Sequence, residues 1–513
     1  MPYEFWKRIM CKLQSGISIK LANGQQINNK FNDILVVGNG FDLFLGQKTK
    51  YSDFFYFIIL YRILFLIKNS QLFSIDSFSN LLPCEYRSQN SKLYGLIDIV
   101  DSYLEIYKNE ADIRFNELQN SINSIFFKGV LILIFGENYS RLFKETQNYI
   151  NIYIYNQTAS NNNFITFKTN LFKLLIELKN IIEPALKEAE KTCNGWIDIE
   201  QFIEYLVLGS SDLESKFELI KDNFDDFCFL KNYPNMSSLI YEGLLSFCDE
   251  FSLYLKAALK TNDISSNNNI WNKSLDFKKV SEEIKNDYLE SLQDRSNNII
   301  DDISFLNLKC IIDFNYTKTT DILIKLYKEQ LESNNDYQPP CVCHINGEID
   351  SNNLIFGYSR NKDISVSKDC FCFEKFTQRI IKNTQFVDFK NLLAKKYNVL
   401  VFGHSCSLAD RDVIKKLLSA DNLGIAVIYC HDIPSLISVS NNLLEILGQD
   451  RMETLLDYSE YTELVCIDPS YVYSLNDEDP RFESDDPFGY ILHKFHPVLF
   501  FCVKSQNDDF LKN

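Results

Sequence analysis

The chain has 513 residues, which at about 150 residues per domain predicts either roughly three domain-sized units or one large α/β core with a sizeable insertion. Its composition, 46% apolar and 24% charged residues, is ordinary for a globular protein and excludes a wholly disordered chain. The formal net charge of −17 argues against a broad basic face that grips nucleic-acid phosphates, although backbone amides can still bind one phosphate locally.

Residues 1–30 are predicted to be an N-terminal extension. They contain no apolar run and no small-residue cleavage site, so no signal peptide is predicted. The most apolar stretch, residues 54–67, contains Arg62 and is too short and too charged for a membrane span, which needs about 20 residues. The 14 cysteines show no disulfide-scaffold spacing. We therefore expect a cytoplasmic protein that makes no membrane contact.

The first predicted strand, residues 34–37, ends in Gly38-Asn39-Gly40-Phe41-Asp42. Two glycines one residue apart permit a tight strand-to-helix turn and let backbone amides approach a phosphate closely. The third glycine of the dinucleotide fingerprint would fall at Leu43, so the match is incomplete and a plain turn is the alternative. A carboxylate at position 42 would repel a phosphate, so we expect Asp42 to cap the helix or to bind a ribose hydroxyl.

The middle of the chain has a helical pattern. Apolar residues recur at helix spacing in residues 171–182 and again in residues 239–255. Trp196, Asp198 and Glu200 precede a further apolar helix pattern, where acidic residues of a first turn are ordinary. We predict a helical insertion domain over residues 55–299, which divides an α/β core in sequence.

Short, continuous apolar runs return in the second half of the chain. They cover residues 310–314, 341–345, 399–402 and 425–430. Such runs are typical of parallel strands buried on both faces, and their alternation with helical patterns favours βαβ units in a doubly wound sheet. The predicted fold class is α/β, with a discontinuous core formed by residues 31–54 and 300–470. Residues 471–513, which include an acidic loop, are predicted to be a C-terminal extension.

Polar side chains follow these runs where each one ends. Asn315 and Tyr316 follow the run of residues 310–314, and an amide there either caps a turn or orients a water or a ribose hydroxyl. His344 lies near the end of residues 341–345, with Gly347 close behind, and a single histidine is often structural. Residues 399–402 lead into Gly403-His404-Ser405 with Asp410, for which the alternative is a plain helix start. Together these groups suit a nucleotide crevice at the carboxyl ends of the strands.

The cysteines and one histidine offer a candidate metal site. Cys341, Cys343, His344, Cys370 and Cys372 could in principle bind zinc, because C-x-C on a strand points both thiols to one face. The usual C-x-x-C spacing is absent. We expect buried, hydrophobic cysteines and no metal.

Taken in order, these motifs resemble those of the AbiH family of bacterial abortive-infection (anti-phage) proteins. The segment Gly38–Leu43, followed by Gly46, Thr49 and Tyr51, is the most specific part. Trp196-Ile197-Asp198-Ile199-Glu200 looks like the family's Trp-Asp-x-Glu segment, and the three later strand-end motifs look like its remaining ones. The resemblance covers about residues 33–430.

The family is in turn similar to sirtuin-like proteins, which implies a Rossmann-like (sirtuin-like) core with Asn315 and His344 as catalytic residues. The implied ligand-binding residues are Gly38, Asn39, Gly40, Phe41, Asp42, Thr49, Tyr316, Gly347, Gly403, His404, Ser405 and Asp410, with Trp196, Asp198 and Glu200 as further candidates. Ser405 falls where such domains contact the adenosine ribose. Two residues separate His344 from Gly347, where sirtuins have none, and no four-cysteine zinc module is found. These departures argue against protein deacylation.

The expected function is an anti-phage effector, an NAD glycohydrolase-like hydrolase that cleaves the nicotinamide–ribose bond of NAD or a related nucleotide. The leaving base departs neutral, so the carboxylate pair of most glycosidases is not compulsory. Asn315 would position water, and His344 would contact the ribose or act as base. The alternatives are a non-catalytic nucleotide sensor or scaffold and, less favoured by charge, a nuclease or nucleotide phosphohydrolase. A phage-derived trigger or companion defence protein and a homo-oligomeric state are also expected.

Overall fold

The protein is described here from a computed structural model. The described residues are 19–20, 26–27, 32–44, 47–70, 72–136, 138–155, 163–192, 199–208, 237–261, 308–322, 324, 340–351, 353–360, 368–382, 384, 389–395, 397–430, 433–456 and 498–503. The chain divides into two compact units, each assembled from segments far apart in sequence. The first unit comprises Met1–Gly46, Ile264–Asn353 and Arg379–Asn513, and the second comprises Gln47–Asp263 and Leu354–Gln378.

The first unit contains a six-stranded sheet in which all neighbouring strands are parallel. In chain order the strands are β1 Asn32–Val37, β2 Leu308–Asp313, β3 Cys341–His344, β4 Tyr397–Phe402, β5 Leu423–Cys430 and β6 Val498–Val503. Their spatial order is β3-β2-β1-β4-β5-β6, so the direction of winding reverses between β1 and β4. A short antiparallel pair, Ile19–Lys20 with Gln26–Ile27, precedes the sheet in the chain.

The central strand shows why these segments form a parallel sheet. Ile34, Leu35, Val36 and Val37 of β1 are all buried, whichever face of the sheet they point to. A strand covered on both faces has a continuous apolar run rather than alternating polar and apolar residues. The parallel sheet that these runs predict is confirmed, in a protein of mixed class with more helix than strand.

Fourteen α-helices are described in the ranges given above. They are α1 Asn39–Phe44, α2 Tyr51–Asn69, α3 Ser91–Ile106, α4 Ala111–Asn123, α5 Ile125–Phe135, α6 Thr146–Ile150, α7 Phe164–Thr192, α8 Ile199–Leu208, α9 Ser237–Thr261, α10 Lys375–Ile381, α11 Phe389–Leu392, α12 Arg411–Ser419, α13 Ile433–Leu447 and α14 Gln449–Leu456. Shorter 3-10 turns lie at Ser79–Leu81, Cys84–Tyr86, Ile349–Ser351, Lys368–Phe373 and Leu408–Asp410, and π-helical turns at Ser140–Lys144 and Asn151–Tyr155.

The second unit is built around α2, which is buried almost all round. The ring centroid of Phe54 on α2 lies 5.1 Å from that of Phe251, and the centroid of Phe57 lies 5.0 Å from that of Tyr254. Phe251 and Tyr254 both belong to α9. A helix that is apolar on every face must be enclosed by protein, which explains the apolar run near the start of the chain. Arg62, its buried cation, donates to the carbonyl of Phe143 at 3.0 Å, and burial lowers the pKa of that guanidinium to about 10.

Among the helices that the structure describes, none is individually long and apolar enough to cross a membrane. Helices α4 and α5 together reach the necessary length and apolar character, but they are bent by 75° where they join.

In the first unit, the turn that follows β1 and the turn that follows β4 are in direct backbone contact. A Cβ at Gly38 would lie 2.6 Å from the Cα of His404, and one at Gly40 would lie 2.6 Å from the Cα of Gly403. Gly403 itself has φ +65°, and a Cβ there would lie 2.3 Å from the backbone nitrogen of Phe41. These glycines are therefore required because two stretches of main chain touch.

We expect Gly403→Ala to destabilise the protein by more than the cost of its positive φ, which is about 1–2 kcal/mol for a residue with a Cβ. The added methyl group would also overlap backbone atoms that cannot move aside cheaply. Gly448→Ala is the matched control, since Gly448 has φ +83° with nothing within 4 Å of a Cβ. Urea unfolding of both variants checks this, and equal losses of unfolding free energy would contradict it.

Candidate functional site

The carboxyl ends of β1, β2, β3 and β4 lie at one edge of the sheet. Open α/β sheets bind ligands at this edge, in the crevice where the strand order reverses. Parallel pairing places Asp313, the last residue of β2, directly beside His344, the last residue of β3. We use the name strand-end cluster for Asp42, Asp313, Asn315, Thr317, Asp321 and His344.

Asp42 lies on α1 and is buried. Its Oδ2 accepts a hydrogen bond of 2.6 Å from the hydroxyl of Thr317, which in turn lies 3.0 Å from that of Thr319. Oδ2 of Asp42 is therefore engaged by a side chain from the loop after β2. Burial raises the pKa of Asp42 to about 6, although the two threonine hydroxyls and the charge of His344 lower it.

Asp313 is fully buried at the end of β2. Its Oδ1 accepts the backbone N–H of Asn315 at 2.8 Å, and its Oδ2 accepts the hydroxyl of Thr320. Burial raises the pKa of Asp313 to about 7; the charge of His344 opposes this rise, and the charge of Asp42 adds to it. Two buried carboxyl groups with raised pKa values near one imidazole are typical of functional sites.

His344 is oriented by Asp321, whose Oδ2 lies 2.6 Å from Nε2. A carboxylate can only accept, so Nε2 carries the proton and Nδ1 faces the carboxyl group of Asp313 at 3.9 Å. Burial lowers the pKa of His344, but the hydrogen bond with Asp321 and the charges of Asp313 and Asp321 outweigh this and leave the pKa above its usual value. The imidazole is thus poised to take up a proton on Nδ1.

Asn315 is 3% exposed, yet neither its amide oxygen nor its amide nitrogen has a hydrogen-bond partner within the described chain. The same holds for Oδ1 of Asp42 and Nδ1 of His344. Most buried polar groups are hydrogen-bonded, so unpaired ones indicate an absent water or ligand. Four such atoms come from the ends of three neighbouring strands, which is the clearest sign of a ligand site in the first unit.

The loop after β4 is fixed by His404. Its Nδ1 accepts the backbone N–H of Cys406 at 3.0 Å, and its Nε2 lies 3.2 Å from Oδ2 of Asp410. The ring packs on Phe314, with the centroids 4.2 Å apart. Both ring nitrogens of His404 are therefore engaged by protein, whereas Ser405 is exposed on the same loop.

The glycine turn does not offer the free amides that a phosphate cradle would use. The N–H of Gly38 donates to Phe402 O at 3.0 Å, that of Gly40 to Gly403 O at 2.8 Å, and that of Phe41 to Gly38 O at 2.8 Å. The phosphate binding that the glycines of this turn would permit does not fit these three amides, because protein carbonyls already accept from them.

Other predicted residues have structural surroundings of their own. Gly347 has φ +78°, and a Cβ there would lie 2.2 Å from the carbonyl oxygen of Asn353. The carbonyl of Tyr316 accepts the N–H of Ile349 at 3.0 Å. Both residues thus shape the loops that follow β2 and β3.

The remaining candidates lie elsewhere in the chain. Thr49 and Glu200 belong to the second unit, where Glu200 forms a 2.6 Å ion pair with buried Lys375. Asn39 is half-buried at the start of α1. Trp196 and Asp198 lie outside the described residues.

Sequence reasoning missed several residues of the site. Asp313 could have been found, because a carboxylate that ends a buried apolar run is unusual and stands at the ligand-binding edge. Asp321 is 23 residues from His344, and nothing in that spacing indicates their contact. Buried Arg379 was also missed: it donates to Ile345 O at 3.2 Å and forms a 2.6 Å ion pair with Asp412.

The chain matches the model of a known protein family. The model described as bacteriophage abortive infection AbiH matches residues 34–429. No curated protein and no solved structure matches the chain.

We expect Asn315→Leu to leave the unfolding free energy unchanged or to raise it by about 1–3 kcal/mol, because it removes two buried polar atoms that lack partners. Urea unfolding is the measurement. Asn346→Leu is the control, since the buried amide of Asn346 donates to Phe314 O at 3.3 Å and its loss should destabilise the protein. If Asn315→Leu lowered the unfolding free energy as much as the control does, the side-chain amide of Asn315 would have to be hydrogen-bonded within the protein, contrary to this prediction.

The raised carboxyl pKa values predict a pH dependence of stability. Asp42 and Asp313 bind protons more tightly in the folded than in the unfolded protein, so stability is lost as the pH rises from about 4 through about 7. Asp313→Asn should shrink the difference in unfolding free energy between pH 5 and pH 8 by about 2–3 kcal/mol. Denaturant unfolding at the two pH values tests this, with exposed Asp450→Asn as control. An unchanged difference in Asp313→Asn would contradict it.

Proposed function

Since the chain belongs to the AbiH family of bacteriophage abortive-infection proteins, we propose that it acts in phage defence by binding and hydrolysing NAD or a related nucleotide at the strand-end cluster. The observation that carries this proposal is the set of four buried polar atoms without protein partners, which belong to Asp42, Asn315 and His344. Carboxylate, amide and imidazole groups are suited to the hydroxyl groups of a ribose and to a water molecule.

The strand order supports a nucleotide as the ligand. The order 3-2-1-4-5-6 of an all-parallel sheet is the order of dinucleotide-binding doubly wound folds, and the cluster stands beside the reversal between β1 and β4. We therefore retain a Rossmann-like, sirtuin-like core as the proposed fold of the first unit. The exposed residue Ser405, on the loop after β4, is proposed to contact the adenosine ribose.

The reaction that we propose breaks the bond between C1′ of the ribose and the nicotinamide nitrogen. The bonding electron pair leaves with the nitrogen, so the cationic base departs neutral and needs no proton. Water then adds its oxygen to the oxocarbenium-like C1′ and releases a proton. Asn315 would hold that water in line, since its amide can both donate and accept.

The released proton needs an acceptor, and His344 suits that role. Its Nδ1 is unpartnered, while Asp321 holds Nε2 and stabilises the imidazolium that forms. This is the division of labour between base and orienting carboxylate that hydrolytic triads use. Asp42, whose pKa of about 6 leaves it largely ionised at neutral pH, would accept from a ribose hydroxyl through Oδ1.

We expect purified protein to release nicotinamide from NAD in the presence of its phage trigger, and Asn315→Ala or His344→Ala to slow this by about 100-fold or more. Chromatographic assay of nicotinamide measures the rate. Asn422→Ala is the matched control, because Asn422 is an exposed amide at the opposite, amino-terminal edge of β5.

Two outcomes would overturn parts of this proposal. A rise in melting temperature with NAD but no nicotinamide release would indicate a nucleotide sensor rather than a hydrolase. Neither binding nor release, with the protein folded and the trigger present, would exclude NAD as the ligand.

A further inference from the structure

Three cysteine thiols converge on one face of the sheet, away from the strand-end cluster. Cys310 of β2 is paired in register with Cys341 of β3, and Cys343 follows two residues further along β3 on the same face. The Sγ atoms of Cys310 and Cys343 are 4.0 Å apart, and all three sulfurs lie within 4.8 Å of one another. His344 points to the other face, because side chains alternate along a strand.

The 4.0 Å separation of the Cys310 and Cys343 sulfurs is that of thiolates sharing a metal ion, and the other two pairs would have to approach by no more than about 1 Å. Thiolates bound to zinc at about 2.3 Å have their sulfurs roughly 3.8–4.0 Å apart in trigonal or tetrahedral geometry. The sulfurs are carried by paired strands, so little backbone freedom would be lost on binding an ion. A disulfide would use two of the three thiols and would not explain the third.

We propose that Cys310, Cys341 and Cys343 form a binding site for a divalent thiophilic metal ion, of which zinc is the biological example. An all-sulfur ligand set excludes the hard cations Mg²⁺ and Ca²⁺, which take oxygen ligands. Three thiolates with a divalent ion carry one net negative charge, but with a monovalent copper ion they carry two, and burial favours the smaller charge.

The burial of the three thiols is graded in a way that suits metal entry. Cys310 is buried, Cys343 is partly buried and Cys341 is exposed. An ion can therefore reach the site from the side of Cys341 and complete its coordination there with water. Bound in this way, it would cross-link β3 to β2 and hold the four-residue strand β3 in register.

The experiment titrates the full-length, reduced, metal-free protein with Co²⁺ and records thiolate-to-cobalt charge-transfer absorption. We expect one equivalent per chain to be bound and then displaced by Zn²⁺. Cys341→Ser, at an exposed position, and Cys343→Ser should each weaken Co²⁺ binding by about 100-fold or more, because even supporting residues outside a ligand set cost 10–100-fold. Cys84→Ser, an exposed cysteine of the second unit, should titrate as wild type.

A second readout depends on stability alone. Zn²⁺ should raise the melting temperature of the wild type and of Cys84→Ser, but not that of Cys341→Ser. Absence of charge-transfer absorption in the wild type would overturn the proposal. So would absorption that survives both Cys341→Ser and Cys343→Ser, since the ion would then be held by other cysteines.

Discussion

The close contact between the turns that follow β1 and β4 is the constraint on which the rest of the site depends. Because the backbone of Gly40 lies against that of Gly403, helix α1 starts directly beside the loop of His404. This position brings Asp42 to the hydroxyl of Thr317 across the ends of β1 and β2. Any side chain larger than hydrogen at the contact would separate the two turns and move Asp42 with them.

The strand-end cluster concentrates the cost of burying polar groups in one place. Asp42 and Asp313 lose water on folding, and their hydrogen bonds with threonines only partly replace it, so their pKa values rise. Unpaired buried groups at Asn315 and His344 add to this cost. A stable fold retains such groups where a ligand can satisfy them, which is why function rather than packing accounts best for this arrangement.

The cysteine cluster illustrates how one strand can serve two purposes. The alternation of side chains directs Cys341 and Cys343 to one face of β3 and His344 to the other. An ion bound on the first face would fix the position of β3 at the edge of the sheet. His344 would then be held more firmly beside Asp313 without any direct contact with the metal ion.

The pattern of residues along the chain was enough to predict five of the six parallel strands, because burial on both faces leaves continuous apolar runs. It also predicted helices between the first two of these strands and the placement of Asn315 and His344 at strand ends. The sixth strand, Val498–Val503, lies in residues 471–513, which were expected to be an extension outside the core. The pattern was also enough to recognise the family. It could not predict the pairs Asp42–Thr317 and His344–Asp321, because these contacts join residues far apart in sequence through loops whose paths have no periodic signal.

The glycine turn shows the same limit of prediction from sequence. Its sequence permits a phosphate cradle, but the approach of Gly403 and Phe402 from a distant strand commits its amides to protein carbonyls. Local chemistry thus decides what each residue can do, whereas long-range packing decides which partner it meets.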